Sequence, residues 1–351
     1  MKHLYCFLIF LLGIHAGLQS QNLLNKPEHI AWDAVHEKYL VTNYGNGKII
    51  SIDQEGNQEA IIEGISSCLG IHIVDTSIFI THSNKIEIYG LSHHQKVGTI
   101  TLNVSNWLDG MANDNNGYLY AVENAGKIHR VNLSTLEDTI IVAGGLPDHP
   151  QDIVFDEAEN RLLLASWETN SYIVSISLEN FEVTDLIETN SGQYDGIVMD
   201  TLRNIYVTSW LNGGRVYKWV YPWDTDPEVF SQGHAGPAGL AINNEDNCLA
   251  VPNFNSNSMD ILTLFPVGIQ EVKKNFIEIK NNEIVITSSA KTIARITSIQ
   301  GKELCTLDVT PGQNCFRISA LPNIPENQFV ILSFYSEQSI ISEKIYIHLV
   351  N

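Results

Sequence analysis

Basic residues are scarce in this sequence. Its 351 residues include 20 Lys and Arg against 40 Asp and Glu, so the formal net charge is −20. So acidic a chain repels phosphate backbones, which excludes nucleic-acid binding as its main function. Beyond the first twenty residues no apolar run is long enough to span a bilayer, so we expect no stable membrane span. Hydrophobic residues make up 44% of the chain, which favours a packed core over intrinsic disorder.

Several motifs that would identify an enzyme are also missing. The sequence contains no Gly-x-Ser-x-Gly elbow, no phosphate-binding P-loop and no His-Glu-x-x-His motif. Cysteine is rare, and no Cys-x-x-Cys motif or Cys/His cluster supports a zinc site. Cys305 and Cys315 flank a Pro-Gly turn and could pair across two strands, whereas pairing of Cys68 with Cys248 stays open.

Residues 1–20 have the layout of a secretory signal peptide. Lys2 precedes the apolar run Leu4–Leu12, and small residues follow. We expect cleavage after Ser20, with Ala16 as the other candidate. The sequence therefore predicts a protein that is secreted or held at the outer cell surface.

A short motif then recurs six times. It reads PEHIAWD, CLGIHIVD, LDGMAND, PQDIVFD, YDGIVMD and PAGLAIN, and the second residues of successive copies are 41, 40, 42, 44 and 43 positions apart. Each copy is followed by an alternating apolar strand, a turn rich in Gly, Asn or Ser, and a further strand. Period-two alternation with such turns predicts antiparallel hairpins. Four strands in a unit of about 40–45 residues is the period of a propeller blade.

We therefore predict an all-β protein, with a six-bladed β-propeller over 21–266 followed by a small antiparallel β-sandwich over 267–351. A solenoid is the main alternative. The sixth unit lacks a fourth strand, and the stretch NLLNK at 22–26 could supply it and close a ring without exposed sheet edges. The segment 267–351 has eight basic and eight acidic residues, so the acidic excess belongs to the repeats and marks a boundary between the two parts.

The C-terminal part contains ARITSIQGKEL, LPNIPENQFVILSF and a last strand KIYIH that includes Lys344. These stretches resemble the C-terminal sorting domain of the type IX secretion system of Bacteroidetes. The resemblance implies two-step export by that machinery, removal of the tail, and attachment to the cell surface or release. A plain β accessory module is the other interpretation.

In a propeller, the residue before each innermost strand faces the central channel. Those residues are Glu28, Leu69, Asp109, Gln151, Asp195 and Ala238. Carboxylate and amide oxygens suit Ca²⁺ or another divalent cation. The sequence predicts a metal site made of Glu28, Asp109, Gln151 and Asp195. Solvation of the channel mouth by the same side chains is the alternative.

The motifs PEHIAWD, LDGMAND, PQDIVFD and YDGIVMD resemble those of the gluconolactonase/senescence-marker-protein group and of the wider NHL-repeat propellers. The resemblance implies a divalent-metal-dependent lactonase or esterase, with the metal polarising a carbonyl and Asp195 or a bound water as the base. Glu28 and Asp195 match two ligands of the group in type and position. Gln151 stands where the group has Asn, and Leu108 stands where it has the Asn of Asn-Asp-Gly.

Aromatic residues are predicted around the same face of the propeller. The candidate ligand-binding residues follow the second strand of a repeat or flank a motif; they are Tyr44, His82, Trp107, Trp167, Tyr194, Trp210 and Phe254. Aromatic rings at a pocket mouth stack on sugars, lipids or peptide side chains, although packing between blades is the alternative. We predict a surface module that binds a small molecule, glycan or peptide, with the metal-dependent lactonase as the alternative function.

Overall fold

The computed structural model describes residues 22–264 and, further on, 277–280, 283–288, 292–298, 303–309, 312–317, 321, 328–335 and 340–347. The predicted signal peptide lies outside these residues. The chain divides into two compact units, Met1–Phe265 and Pro266–Asn351. In the described part of the chain, no helix has the length and apolar character needed to cross a bilayer.

The first unit begins with three four-stranded antiparallel sheets, each one blade. Blade one consists of β1 (Pro27–Asp33), β2 (Lys38–Asn43), β3 (Lys48–Ile52) and β4 (Gln58–Ile62). Blade two consists of β5 (Ile71–Val74), β6 (Ser77–His82), β7 (Lys85–Gly90) and β8 (Lys96–Thr101). Blade three consists of β9 (Leu108–Asn113), β10 (Tyr118–Glu123), β11 (Lys127–Asn132) and β12 (Asp138–Val142).

Two further four-stranded blades and a three-stranded one complete the unit. Blade four consists of β13 (Pro150–Asp156), β14 (Arg161–Ser166), β15 (Tyr172–Ser177) and β16 (Val183–Glu188). Blade five consists of β17 (Tyr194–Met199), β18 (Ile205–Ser209), β19 (Arg215–Trp219) and β20 (Glu228–Gln232). Blade six consists of β21 (Ala241–Asn243), β22 (Cys248–Asn253) and β23 (Ser258–Thr263). The all-β class and the six-bladed propeller predicted from the repeat are confirmed.

The ring closes by packing of blade six against blade one. Leu24, Ile30 and Val41 share a buried cluster with Ala241 and Ala250. The N–H of Gly239 also donates to the carbonyl oxygen of Glu28 at 2.8 Å. Closure of this kind removes the two exposed ends that an open stack of sheets would leave, so the solenoid alternative is wrong.

Residues 22–26 do not form the expected fourth strand of blade six. Their polar groups are bound by asparagine side chains and turns instead. Asn22 Nδ2 donates to the carbonyl oxygen of Asn257, and the N–H of Lys26 donates to Asn257 Oδ1 at 2.7 Å. Asn43 Nδ2 donates to the carbonyl oxygen of Leu23. This part of the prediction is wrong, because the segment links blade one to the β22–β23 turn rather than pairing with β23.

In four of the six blades, the start of the inner strand has a bulge that directs side chains toward the axis. In blades one, three, four and five the pairing of the first two strands shifts register at the start of the inner strand. Such a bulge bends the strand and re-aims nearby side chains. The shifts fall beside Glu28, Asp109, Gln151 and Asp195, so these residues turn toward the channel.

In the second unit the described strands form two antiparallel sheets. The first contains β24 (Ile277–Lys280), β25 (Glu283–Ser288) and β28 (Gly312–Arg317). The second contains β26 (Thr292–Ser298), β27 (Glu303–Val309), β29 (Gln328–Tyr335) and β30 (Ile340–Ile347). Packing of the two sheets into a sandwich, and the sorting role, stay predictions.

Cys305 and Cys315 lie in different sheets of the second unit. Cys305 on β27 is opposite Ile296, whereas Cys315 on β28 is opposite Val285. The two strands on either side of the Pro-Gly turn are therefore not hydrogen-bonded neighbours, and pairing of the two cysteines stays a prediction.

Candidate functional site

The face at which the chain enters the inner strands holds a cavity of about 550 Å³, here called the entry-face cavity. The four oxygen-bearing candidates, Glu28, Asp109, Gln151 and Asp195, line it. The cavity is also lined by six of the predicted ligand-binding residues: Tyr44, His82, Trp107, Trp167, Trp210 and Phe254. The structure thus brings together, on one concave surface, residues that the sequence spreads over six repeats.

Tyr194 does not line this cavity. Its side chain is fully buried, and its ring centroid lies 6.4 Å from that of Tyr217 and 6.2 Å from that of Trp219. Its hydroxyl donates to Thr189 Oγ1 at 2.8 Å. The prediction of Tyr194 as a ligand-binding residue is therefore wrong, and the alternative interpretation, packing inside the propeller, describes it.

Four aromatic side chains form a continuous wall, the aromatic arc, made of Tyr44, Phe254, Trp210 and Trp167. Successive ring centroids along the arc are 5.8, 5.7 and 5.1 Å apart. All four residues follow the second strand of their blade by one position. The arc therefore runs through blades one, six, five and four, which are consecutive around the closed ring.

The opposite wall is small and hydroxylic. It contains Ser66, Ser67 and Ser83, which were not predicted from the sequence, and the apolar Leu69, which was predicted to face the channel. Ser83 could have been found, because it occupies in blade two the repeat position that carries an aromatic residue in four other blades. His82 lies on this side, and its Nε2 is 3.1 Å from Glu87 Oε1.

Three carboxyl groups converge on the cavity. Glu28, Asp109 and Asp195 belong to blades one, three and five, so they approach the axis from alternate blades. Their residues are only 7%, 4% and 7% exposed. Neutral residues stand at the corresponding positions of the other three blades.

The hydrogen bonds of these three carboxyl groups differ. Trp210 Nε1 donates to Asp195 Oδ2 at 2.9 Å, whereas the nearby indole of Trp107 acts to lower the pKa of Asp109. Glu28 Oε2 is buried and, in the part of the chain that the structure describes, has no hydrogen-bond partner. A buried carboxylate oxygen that has no hydrogen-bond donor lowers the stability of the folded state. Among the three carboxyl groups, Glu28 is therefore the one that can accept a hydrogen bond from a ligand.

Burial and mutual repulsion make all three groups hard to ionise. Burial raises the pKa of Glu28 well above its ordinary value, and the charges of Asp109 and Asp195 raise it further. Burial, followed by the charge of Asp195, also raises the pKa of Asp109. Burial raises the pKa of Asp195 to about 7, although the hydrogen bond from Trp210 acts in the opposite direction.

Next along the inner strands, His29 and Asp152 meet across the channel, with Nε2 of His29 3.3 Å from Oδ2 of Asp152. Asp152 was not predicted as a site residue from the sequence. It follows the channel-facing residue of its repeat, a position that is His29 in blade one and Gly in the remaining four blades, and this difference was a signal. A Cβ on Gly110 would lie 2.0 Å from Asp152 Oδ1, and a Cβ on Gly239 would lie 2.5 Å from His29 Cδ2. The glycines therefore leave the space that these two side chains fill.

A second cavity of about 420 Å³ opens at the other end of the channel and is lined by His29, His72, Asn113 and Asp152, among others. It shares no lining residue with the entry-face cavity. Burial lowers the pKa of His72, whose Nε2 lies 2.8 Å from Asn113 Oδ1. The pair His29 and Asp152 thus stands between two separate chambers.

The four candidates for the predicted divalent-cation site line one cavity but make different contacts. Within the described residues, no group of three or more His, Cys, Asp or Glu side chains is placed to hold a metal ion. Gln151 Nε2 donates to the carbonyl oxygen of His149, and one oxygen of Asp195 is bound by Trp210. The metal site stays a prediction, and we derive no chemical step from it.

Solved structures with this architecture are numerous. A protein of unknown function from Bacteroides thetaiotaomicron is 12% identical, with a TM-score of 0.56 and alignment over 69% of this chain and 72% of that one. Streptogramin B lyase is 16% identical, with a TM-score of 0.52 over 69% and 84% of the two chains. An auxiliary nutrient binding protein from Bacteroides thetaiotaomicron is 13% identical, with a TM-score of 0.52 over 68% and 70%.

The shared feature is the β-propeller fold. At these identities the likeness extends to the fold alone. No protein-family model and no curated protein matches the sequence. The function must therefore be argued from the cavity and its residues.

Proposed function

We propose that this protein is an exported β-propeller that binds a ligand in the entry-face cavity. The observation that carries the proposal is the aromatic arc, whose four rings line a concave space of about 550 Å³. Ligand pockets of about 300–1,000 Å³ lined by aromatic side chains with a few polar groups are typical small-molecule sites. A small molecule, or the end of a glycan or peptide, is the expected occupant.

Export belongs to the same proposal. The signal-peptide layout of residues 1–20 and the resemblance of the C-terminal segment to a type IX sorting domain support delivery to the cell surface or release. The type IX machinery is then a partner of the second unit. One propeller of the same fold is described as an auxiliary nutrient binding protein, a description compatible with a binding role.

We prefer binding to turnover because the carboxyl groups lie ready to contact a ligand but do not form a metal-holding group among the described residues. The metal-dependent lactonase remains the alternative predicted from the sequence motifs. This alternative requires that the protein bind a stoichiometric divalent ion and hydrolyse an ester or lactone. Removal of the ion by a chelator should then abolish the hydrolysis.

The arc is tested with Phe254→Ala, which removes the ring at its centre. Small amphiphiles, short glycans and short peptides are titrated into the full chain, and binding is followed by tryptophan fluorescence, because Trp107, Trp167 and Trp210 line the cavity. We expect at least one compound to bind, and Phe254→Ala to weaken it about tenfold, equivalent to about 1.4 kcal/mol.

Val229→Ala is the matched control, since Val229 is 45% exposed on the outer strand of blade five. This variant should bind like the original chain. Binding that survives unchanged in Phe254→Ala would place the ligand elsewhere and contradict the proposal.

A further inference from the structure

The wall of the entry-face cavity carries three carboxyl groups that ionise only with difficulty, and a bound positive charge would favour their ionised form. Glu28, Asp109 and Asp195 line the cavity, whereas no Lys or Arg is among the described residues that line it. His29 faces Asp152, with Nε2 3.3 Å from the carboxylate oxygen. The imidazole is thus paired with the fourth carboxylate of the channel, and its effect on the pKa values of Asp109 and Asp195 is smaller than that of their burial.

A hydrogen-bond donor is missing at the same place. Asp195 accepts a bond from Trp210, but the buried Oε2 of Glu28 has no partner within the described part of the chain. Native structures rarely leave a buried carboxylate oxygen without a donor, and a bound ligand is one of the ways in which such an atom is satisfied. The cavity therefore needs both positive charge and N–H groups.

The aromatic arc is suited to the same chemistry. Aromatic faces attract cations within about 6 Å of the ring centroid. Lys26 Nζ already lies 5.5 Å from the centroid of Phe254, so a cation is compatible with this wall. The remaining ring area is apolar and provides a surface for the body of a ligand.

The net charge of the whole protein also favours a cationic ligand. The formal net charge of −20 attracts cations, and a negatively lined cleft raises their local concentration at its mouth. A neutral sugar or an anion would gain nothing from this field. A small cation with an apolar part meets all four features of the cavity: its charge, its unbonded oxygen, its aromatic wall and its size.

We propose that the entry-face cavity binds an organic cation, with a protonated amine placed among Glu28, Asp109 and Asp195 and its apolar body packed against the aromatic arc. This inference rests on the proposed function and names the chemical class of the ligand. An ammonium group supplies up to three donors, enough to bond Glu28 Oε2 and both aspartates. Charge-assisted bonds of this kind are about twice as strong as neutral ones.

The test compares ligands that share a body and differ in their head group. The probes are 2-phenylethylamine, 2-phenylethanol and phenylacetate, together with n-hexylamine and n-hexanol as a second matched pair. Each is titrated into the full chain by calorimetry near pH 7 at low ionic strength. We expect each amine to bind at least tenfold more tightly than its alcohol, and phenylacetate to bind most weakly.

The decisive variant is Glu28→Gln, which keeps the shape of the side chain and removes its charge. Amine affinity should fall at least tenfold, whereas affinity for the alcohols should change by less than twofold. The melting temperature of the ligand-free variant should stay close to that of the original chain, because burial already disfavours the ionised form of Glu28 and raises its pKa. A purely structural role for Glu28 would lower the melting temperature instead.

Glu188→Gln is the matched control, since Glu188 is an exposed carboxylate on the outer strand of blade four. It should leave every affinity unchanged. Asp109→Asn takes the place of Glu28→Gln if the latter does not fold, with the same expected loss for the amines.

The possible results separate the two proposals. If the alcohols bind as tightly as the amines, and Phe254→Ala abolishes this binding, the proposal of a binding cavity holds and the proposal of a cationic ligand is overturned. Absence of binding by both amines would also overturn it. Ca²⁺ is titrated alone as a further arm, and stoichiometric Ca²⁺ binding that depends on Glu28 without any amine binding would favour the divalent-metal alternative.

Discussion

At the scale of single residues, one threonine hydroxyl joins two blades. Thr208 Oγ1 accepts from the N–H of Gly196 in its own blade at 2.8 Å and donates to the carbonyl oxygen of Ala238 in the next blade at 2.7 Å. Thr42 and Thr81 make the same pair of bonds in blades one and two. The hydroxyl thereby satisfies an N–H at the start of the inner strand and fixes the spacing of neighbouring blades.

Thr208→Val keeps the shape of this residue and removes both bonds. The buried Gly196 N–H and Ala238 carbonyl then lose a partner, and we expect the free energy of unfolding to fall by about 2 kcal/mol. Thr184→Val, at an exposed position of blade four, is the control and should change stability by less than about 0.5 kcal/mol. Urea unfolding measures both. Equal stability of the two variants would show that the hydroxyl bridge contributes nothing.

The same scale shows why one aromatic residue was misassigned. Trp107 lies two positions before Asp109, whereas Tyr194 lies immediately before Asp195. Successive side chains of a strand point to opposite faces, so Trp107 shares the side of Asp109, whereas Tyr194 points away from Asp195 and into the core. The alternation does not hold on the other side of the motif residue, because the register shifts there and leaves His29 and Asp152 in the channel beside Glu28 and Gln151.

At the scale of strands and turns, local signals were sufficient. Asp33, Asp114 and Asp200 each accept a bond from the N–H of the residue two positions later, the arrangement of an Asx-type turn, which an Asp before a turn favours. The stretch at 22–26 could not be assigned in the same way, because its conformation depends on Asn43 and Asn257, which are remote in the sequence. Sequence therefore predicted the hairpins well, but it did not predict how the ends of the ring meet.

A carboxylate at the end of β10 makes blade three sensitive to acid. Burial by itself raises the pKa of Glu123, but the bonds from the N–H of Ser105 and from His129 outweigh it and hold the pKa at about 2. Because this folded-state pKa lies below the ordinary value of 4.5, the stabilisation is present above pH 4.5 and is lost as the pH falls toward 2.

Glu123→Gln should therefore destabilise the chain by about 2 kcal/mol at pH 7, since the variant cannot form the charge-assisted bonds. The difference from the original chain should shrink as the pH falls from 4.5 to 2. Melting temperatures of both proteins across pH 2–7 measure it. A difference that stays constant over this range would mean that ionisation of Glu123 is not the source of the stabilisation.

At the scale of the whole molecule, the ring is held by an apolar seam without exchange of strands. Ile30 is 2% exposed and belongs to the cluster shared by blades one and six. Its truncation to alanine weakens the apolar packing between these two blades, in addition to leaving a cavity.

Ile30→Ala should cost about 3 kcal/mol of stability. Ile140→Ala, at a position that is 42% exposed on the outer strand of blade three, should cost less than about 1 kcal/mol. Chemical denaturation of the two variants provides the comparison. A similar, small loss in both would show that the seam is not needed to keep the ring closed.

The contact between His29 and Asp152 also determines what kind of molecule can be recognised. Because it separates the two chambers, the entry-face cavity is a blind pocket, and whatever enters must leave by the same opening. A polymer cannot thread through the axis of the propeller. A polymer that carries the recognised group can be bound only through its terminus or through a side branch. The units in the interior of the polymer are therefore not recognised.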